Sequence, residues 1–343
     1  MNDRFLRACR RQPVDATPVW FMRQAGRYMP EYRALRQQFS LLELCRTPEL
    51  AAQVTRQPVD ALDIDAAILF SDLLLPLEPM GLTFDFVKGE GPAFDDPIRS
   101  AADVARLRPI DPSDSLSYVL DTIRQLKPTL DVPLIGFVGA PFTLASYAIE
   151  GGPSKDFART KAMMYTEPEA WQTLCTRLAE MAGAYLRAQI AAGVDAVQVF
   201  DSWVGQLSPA DYREFALPYT RLVFDAIAGL DVPSIHFGVG TAMLLEDMTT
   251  AGSTVVGADW RTPLDRAWQL IGHDRAIQGN LDPTLLLGPW PRVRVAVEDI
   301  LERAAGRSGH IFNLGHGVLP MTSPDAVQRV ARLVHTLTAA RRP

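Results

Sequence analysis

The amino-acid sequence predicts a single (β/α)8 barrel, and three observations carry that reading. Eight short apolar runs recur along the chain: Thr17–Met22, Ala66–Phe70, Pro133–Val138, Val194–Phe200, Pro233–Phe237, Thr254–Gly257, Ala276–Gln278 and His310–Phe312. Most are separated by segments long enough for a helix, and no low-complexity linker divides the 343 residues. Continuous apolar strands each followed by a helix indicate a parallel sheet buried on both faces. Eight such units in one chain of this length favour a closed barrel over an open sheet, with one domain spanning residues 1–343.

Residues 1–16, with Arg4 to Arg11, read as a short helical extension ahead of strand one. That first strand, Thr17–Met22, runs straight into Arg23-Gln24-Ala25-Gly26-Arg27. The stretch from Asp72 to Asp131 after the second strand is too long for a plain crossover. Within it, Thr83–Val87 and Pro92–Phe94 flank Lys88-Gly89-Glu90-Gly91, the pattern of a β-hairpin laid over one mouth of the barrel. From Pro133 onward, strands alternate with predicted helices over Pro168–Ala192, Pro209–Gly229, Ala242–Ala251 and Pro263–Ile271. Several of these open with a proline suited to the first helical turn.

Composition narrows the function. The chain is 48% hydrophobic and 22% charged, ordinary for a globular protein, and its net charge of −6 argues against a nucleic-acid binder. Cys9, Cys45 and Cys175 form no CxxC pair, so neither a disulfide framework nor a zinc ribbon is indicated. The amino terminus has no apolar core of a secretory signal, and no run reaches the ~18 apolar residues of a membrane span. A cytosolic protein without a membrane partner is expected.

The strand ends carry the chemistry. In a barrel of this kind, functional groups come from the carboxyl ends of the strands. Here those ends are Arg23 to Arg27, Ser71-Asp72, Gly139 to Thr143, Asp201-Ser202-Trp203, Gly238, Asp259, Asn280 with Asp282, and Asn313-Leu314-Gly315-His316-Gly317. Such concentration on one side points to a shared polar pocket. Arg23 and Arg27 suit carboxylates or phosphates, because a guanidinium pairs bidentately with such groups and stays charged. Asp72 is either a helix cap or a carboxylate held in the apolar setting of Leu73 to Leu77. Tyr147 shares a helical face with Thr143 and reads as core packing or as a site hydroxyl. Ser202 is a cap or a ligand, and His316 between two glycines is hard to explain as core. Asp72, Asp201, Asp259 and His316 could converge on a metal, yet no HExxH-like ligand pair is present. P-loop, GxGxxG and GxSxG motifs are absent as well.

Taken together, the arginine motif, Phe70-Ser71-Asp72, Gly136 to Thr143, Tyr147, Phe200-Asp201-Ser202 and Asn313 to Gly317 closely resemble the uroporphyrinogen decarboxylase family of haem biosynthesis. The match runs over essentially the whole chain in the family's order. The resemblance implies an enzyme without cofactor or metal that removes CO2 from the four acetate side chains of uroporphyrinogen III, giving coproporphyrinogen III. It also implies a homodimer with facing clefts. By motif position, Arg23 and Arg27 bind carboxylates, with Gln24, Ala25 and Gly26 lining the same loop. Asp72 receives the pyrrole N–H groups, and Tyr147, Ser202 and His316 supply further contacts.

An acidic protein with arginines at its mouth suits a substrate bearing eight carboxylates. A buried carboxylate beside the pyrrole nitrogens would stabilise positive charge formed on protonation of the ring. The proton donor stays open among Arg23, Tyr147, His316 and a bound water. Two alternatives are a zinc-dependent corrinoid or thiol methyltransferase of the same fold and a non-catalytic tetrapyrrole-binding protein.

Overall fold

The computed structural model describes residues 2–87, 89 and 91–339. Among them the strands, in chain order, are β1 (Ala67–Ile68), β2 (Phe84–Val87), β3 (Gly91–Phe94), β4 (Leu134–Gly139), β5 (Ala196–Asp201), β6 (Ser234–Gly238), β7 (Val255–Gly257), β8 (Ala276–Gln278) and β9 (His310–Ile311). Seven of these form one parallel sheet in the order β1-β4-β5-β6-β7-β8-β9. β4 and β6 are buried at every position, the consequence of apolar strands covered on both faces. The register sets Gly139, Phe200, Phe237, Gly257 and Gln278 side by side at one level. Gly257 is small there because the interior must be filled without clashes. A side chain at Gly257 would meet the Phe237 ring at 2.8 Å.

The first expected strand needs correction. Thr17–Met22 occupies the gap between β9 and β1 but forms no regular strand. Val19 makes a single parallel bridge to Phe312. Phe312 N–H donates to Pro18 C=O at 2.8 Å, and Asp65 N–H to Val19 C=O at 2.7 Å, so the segment still closes the barrel. Side chains have replaced the ladder. Val19, Phe21 and Met22 donate their N–H groups to Asp65 Oδ2, Gln24 Oε1 and Asn313 Oδ1 at 2.7, 2.9 and 3.1 Å, and Pro18 has none to donate.

Most other expected elements are present, although Ala242–Ala251 is only a short helix, Leu245–Met248, followed by a 3₁₀ turn, Thr249–Ala251. The amino-terminal extension is the helix Arg4–Cys9, and the predicted hairpin is present as the β2–β3 pair; Lys88 and Glu90 of its turn lie outside the described residues. The hairpin docks through Phe94 N–H on Gly151 C=O at 3.0 Å, at the end of the helix that carries Tyr147. Helix Pro168–Ala192 runs as expected and stops at Gly193, whose φ of 121° favours glycine. The expected Pro209–Gly229 helix is two helices, Pro209–Phe215 and Leu217–Asp225. Pro218 lacks an N–H and its ring clashes with the preceding turn, so the chain breaks at Ala216. No helix among the described residues is long and apolar enough to cross a membrane.

Candidate active site

At the carboxyl ends of the strands, most polar groups turn out to brace one loop against another. Asp201 Oδ1 accepts from the Thr143 hydroxyl at 3.0 Å. Asp259 accepts from Gly240 N–H at 2.6 Å, Arg261 N–H at 3.0 Å and Arg261 Nη1 at 2.7 Å. Asn280 Nδ2 donates to the carbonyls of Asp259 and Thr262. Asp282 caps a short 3₁₀ turn. These residues hold the rim in shape. Asp201 and Asp259 therefore do not converge with Asp72 and His316 as ligands, and the described residues contain no cluster of three His, Cys, Asp or Glu arranged for a metal.

Arg23, Arg27, Asp72, Tyr147, Ser202 and His316 form the contrasting set. The turn after Met22 is built by Gln24, whose side chain is wholly buried. Its Oε1 accepts from Phe21 N–H at 2.9 Å and its Nε2 donates to Ala66 C=O at 3.0 Å. Gln24 thus acts through the wall of the barrel, and its side chain is not available to the cleft. Gly26 allows the tight return, since a Cβ there would lie 2.9 Å from Arg23 C=O. Arg23 sits at φ 61°, in the left-handed region, a strain that non-glycine residues carry chiefly at functional positions. The turn leaves both guanidiniums exposed, and neither makes an ion pair among the described residues. Ala25 and Gly26 are half-buried between them.

Asp72 combines both expected roles. Its Oδ1 accepts from Leu74 N–H at 2.9 Å, capping the turn into Leu75–Leu77. The carboxylate keeps some surface open to the cleft, but protein atoms surround it closely. That enclosure raises its pKa above the ordinary range, against the pull of the Leu74 N–H and the Arg23 guanidinium. Tyr147 faces the same charges. Burial first, then the Asp72 carboxylate, push its hydroxyl up to about 12, while Arg23 opposes them. His316 is lowered to about 4 by burial and by the Arg23 and Arg261 guanidiniums, against Asp259. Its Nδ1 accepts from Gly317 N–H at 2.6 Å. A ring nitrogen that accepts carries no proton, so neutral His316 presents Nε2–H as a donor. Ser202 is half-buried between Asp201 and Trp203.

Gly317 lies against the Arg23 side chain, and the Arg23 guanidinium is near enough to act on the charges of Asp72, Tyr147 and His316 alike, so these four share one mouth of the barrel. Arg27 lies on the same loop, four residues on. Two residues to which the sequence assigned no role also stand at this mouth. Arg261 stacks over Trp260 at 3.9 Å and pairs with Asp259; its position just past a strand-end aspartate was the available signal. Trp203 packs on Tyr147, a contact that sequence spacing cannot show.

The model of the family described as uroporphyrinogen decarboxylase (URO-D) matches residues 1–337. The chain belongs to the uroporphyrinogen decarboxylase family. That family consists of carboxy-lyases. The chain is 56% identical over 342 residues to uroporphyrinogen decarboxylase of Sorangium cellulosum (strain So ce56), covering 99% of this chain and 98% of that one. It is 54% identical to the enzyme of Roseiflexus sp. (strain RS-1), covering 98% and 99%. It is 53% identical to that of Carboxydothermus hydrogenoformans, covering 99% and 97%. A solved methyltransferase from Methanosarcina mazei has the same fold, with a TM-score of 0.80 at 20% identity over 98% of both chains. At that identity the likeness concerns the barrel alone.

The thiol-activating chemistry of a zinc methyltransferase would need cysteine at a strand end. Cys9, Cys45 and Cys175 are all buried within helices. Burial pushes each thiol well above its ordinary value, the opposite of an activated thiolate. The uroporphyrinogen decarboxylase family membership and the cysteine placement agree.

Proposed function

We propose that the chain catalyses the cofactor-free, stepwise decarboxylation of the four acetate side chains of uroporphyrinogen III, giving coproporphyrinogen III. The observation that carries this reading is the presence of two guanidiniums without an ion pair among the described residues, Arg23 and Arg27, on the same mouth of the barrel as a partly engaged carboxylate, Asp72. Arg23 and Arg27 hold acetate and propionate carboxylates. Asp72 faces the pyrrole N–H groups.

Protonation of the ring carbon next to the one bearing an acetate makes the pyrrole an iminium-like cation conjugated to the acetate-bearing carbon. The bond from the methylene to the carboxylate then breaks, CO2 leaves, and the electron pair neutralises the cation as an exocyclic methylene. A proton added to that methylene, with loss of the first from the ring, leaves a methyl and a net uptake of one proton. Asp72 stabilises the cation by a fixed opposite charge in an enclosed site. Gln24, Ala25 and Gly26 shape the arginine loop. His316 through Nε2–H, Tyr147 through its hydroxyl and Ser202 add hydrogen bonds to the substrate. At neutral pH His316 is neutral and Tyr147 protonated, so each enters the site as a donor of hydrogen bonds. Neither is a strong acid there, and the proton taken up in each round is drawn from solvent.

The reading extends to a homodimer with clefts facing one another. Met243 and Met321, 77% and 73% exposed, lie on loops after β6 and β9, on the same side of the barrel as the cleft. Large apolar side chains gathered at that rim suit a covered surface. An equilibrium mass measurement at micromolar concentration tests this; a monomer alone overturns it.

The deciding experiment incubates the protein anaerobically with uroporphyrinogen III and separates the hepta- to tetracarboxylate products. Their successive appearance without added metal or cofactor is expected. Binding without product would make the chain a tetrapyrrole binder instead.

A further inference from the structure

Trp203 belongs to a strand-end motif yet has no task in the chemistry above. Its indole lies against the Tyr147 ring, with centroids 3.7 Å apart and planes at 33°. Phe157 meets the same indole edge-on at 4.9 Å. Phe157 is held at φ 55°, in the left-handed region that is unfavourable for a side chain of its size. The fold accepts this local strain to seat an aromatic ring against Trp203.

The backbone of Trp203 is tied down as well. Its N–H donates to Thr143 Oγ1 at 3.3 Å, and the Thr143 hydroxyl donates to Asp201 Oδ1 at 3.0 Å. Thr143 lies one turn before Tyr147 on the helix Pro141–Glu150. A chain of contacts therefore runs from the end of β5 to that helix and back to the phenol ring. Asp201 and its neighbour His236, 3.5 Å away, are both fully buried. A carboxylate so enclosed is costly, and here it orders the loop that carries Trp203.

We propose that Trp203, clamped by Thr143 and Asp201, is a positioning residue that fixes the Tyr147 ring so that its hydroxyl stays aimed into the cleft. A tyrosine side chain turns about two torsions, and an aromatic neighbour on its face removes much of that freedom. Misplacing a group by a fraction of its working distance lowers turnover while leaving carboxylate binding to the arginines intact. The inference rests on the part assigned to Tyr147 above, and the test separates the two.

The test compares Trp203→Leu, Trp203→Phe, Tyr147→Phe and the double variant Trp203→Leu/Tyr147→Phe in single-turnover and steady-state assays. Trp203→Leu is expected to lower kcat about three- to tenfold with KM nearly unchanged, the effect of losing one aromatic pair. Trp203→Phe, which keeps a flat ring, recovers part of the loss. In the Tyr147→Phe background, Trp203→Leu costs nothing further. Additive losses, or a raised KM at unchanged kcat, overturn the proposal, the latter by making Trp203 a substrate contact. A fluorotyrosine placed at position 147 gives a readout independent of activity. Its 19F resonance should be single and sharp with Trp203 and broadened or split with Leu. An unchanged resonance also overturns the proposal. Full activity of Tyr147→Phe would remove the role of the hydroxyl, and the resonance would then decide whether Trp203 positions the ring.

Discussion

Gly317 lies directly on the side chain of Arg23. A Cβ at Gly317 would sit 2.6 Å from Arg23 Cγ and closer still to Cδ. This glycine therefore leaves room for the guanidinium stem on its way into the cleft. Its own N–H meanwhile fixes the proton of His316 on Nε2.

Gly317→Ala should displace Arg23 without unfolding the barrel. On the order of 10- to 100-fold is expected to be lost from kcat/KM, since small misplacements of a binding group have effects of that size. Steady-state kinetics beside thermal melting checks this. A large drop in melting temperature, or unchanged kinetics, would show that the contact is only packing.

On the proposed reading, Arg23→Gln and Arg27→Gln each remove a charge that pairs with a substrate carboxylate. Each should raise KM by about 10- to 100-fold, the range for losing a charge-assisted hydrogen bond. The loss is expected to fall at high salt, because the outermost carboxylates meet the arginines at an exposed rim. A salt-independent KM would place the arginines outside the binding path.

Asp72→Asn keeps the shape and the bond from Leu74 N–H but removes the charge. It should cost about 10²–10³ in kcat at saturating substrate. Because burial raises the Asp72 pKa, turnover of the native protein should fall with acid from a pH above the ordinary carboxylate range. The variant should lack that acid limb. Near-normal turnover of Asp72→Asn would refute the electrostatic role.

At the opposite mouth, Asp65 ties together the pieces that close the barrel. It accepts from Arg4 Nη1 at 2.6 Å, from Asn2 Nδ2 at 2.8 Å and from Val19 N–H at 2.7 Å, and it lies 2.7 Å from His335 Nε2. Burial disfavours charge on both partners, but their hydrogen bond and mutual attraction win, lowering the Asp65 pKa and raising that of His335. The His335 contribution to stability is thus complete below its unfolded value of 6.5 and is lost as pH rises through its higher folded value. The Asp65 contribution is complete above 3.8 and is lost as pH falls through its lower folded value. Urea unfolding of His335→Gln should show the native excess of stability near pH 6 shrinking towards pH 9. A constant difference across that range would mean that His335 does not act through its charge.

Much of the candidate site was legible because its residues sit in short contiguous motifs. Arg23 and Arg27 stand four apart around a glycine, and Gly315-His316-Gly317 is too flexible for core. Which polar strand ends were free was not legible. Asp201 and Asp259 carry the same carboxylate as Asp72, and Asn280 and Gln24 are equally polar on paper, yet each meets a donor or acceptor from elsewhere in the fold. Trp203 was quoted as part of a motif, but its stacking on Tyr147 joins positions 56 apart in the chain.

The parallel barrel, its hairpin insertion and the loops that bear the arginines and His316 follow from local pattern, because apolar runs and turn residues act over a few neighbouring positions. Tertiary structure settled matters that depend on distant partners. It turned the expected first strand into a bridge, because Asp65, Gln24 and Asn313 offered their side chains to its N–H groups. It also left Arg23 and Arg27 without an ion pair among the described residues while engaging Asp201 and Asp259. A buried polar group must find a partner wherever the chain brings one near, and local sequence does not record who arrives.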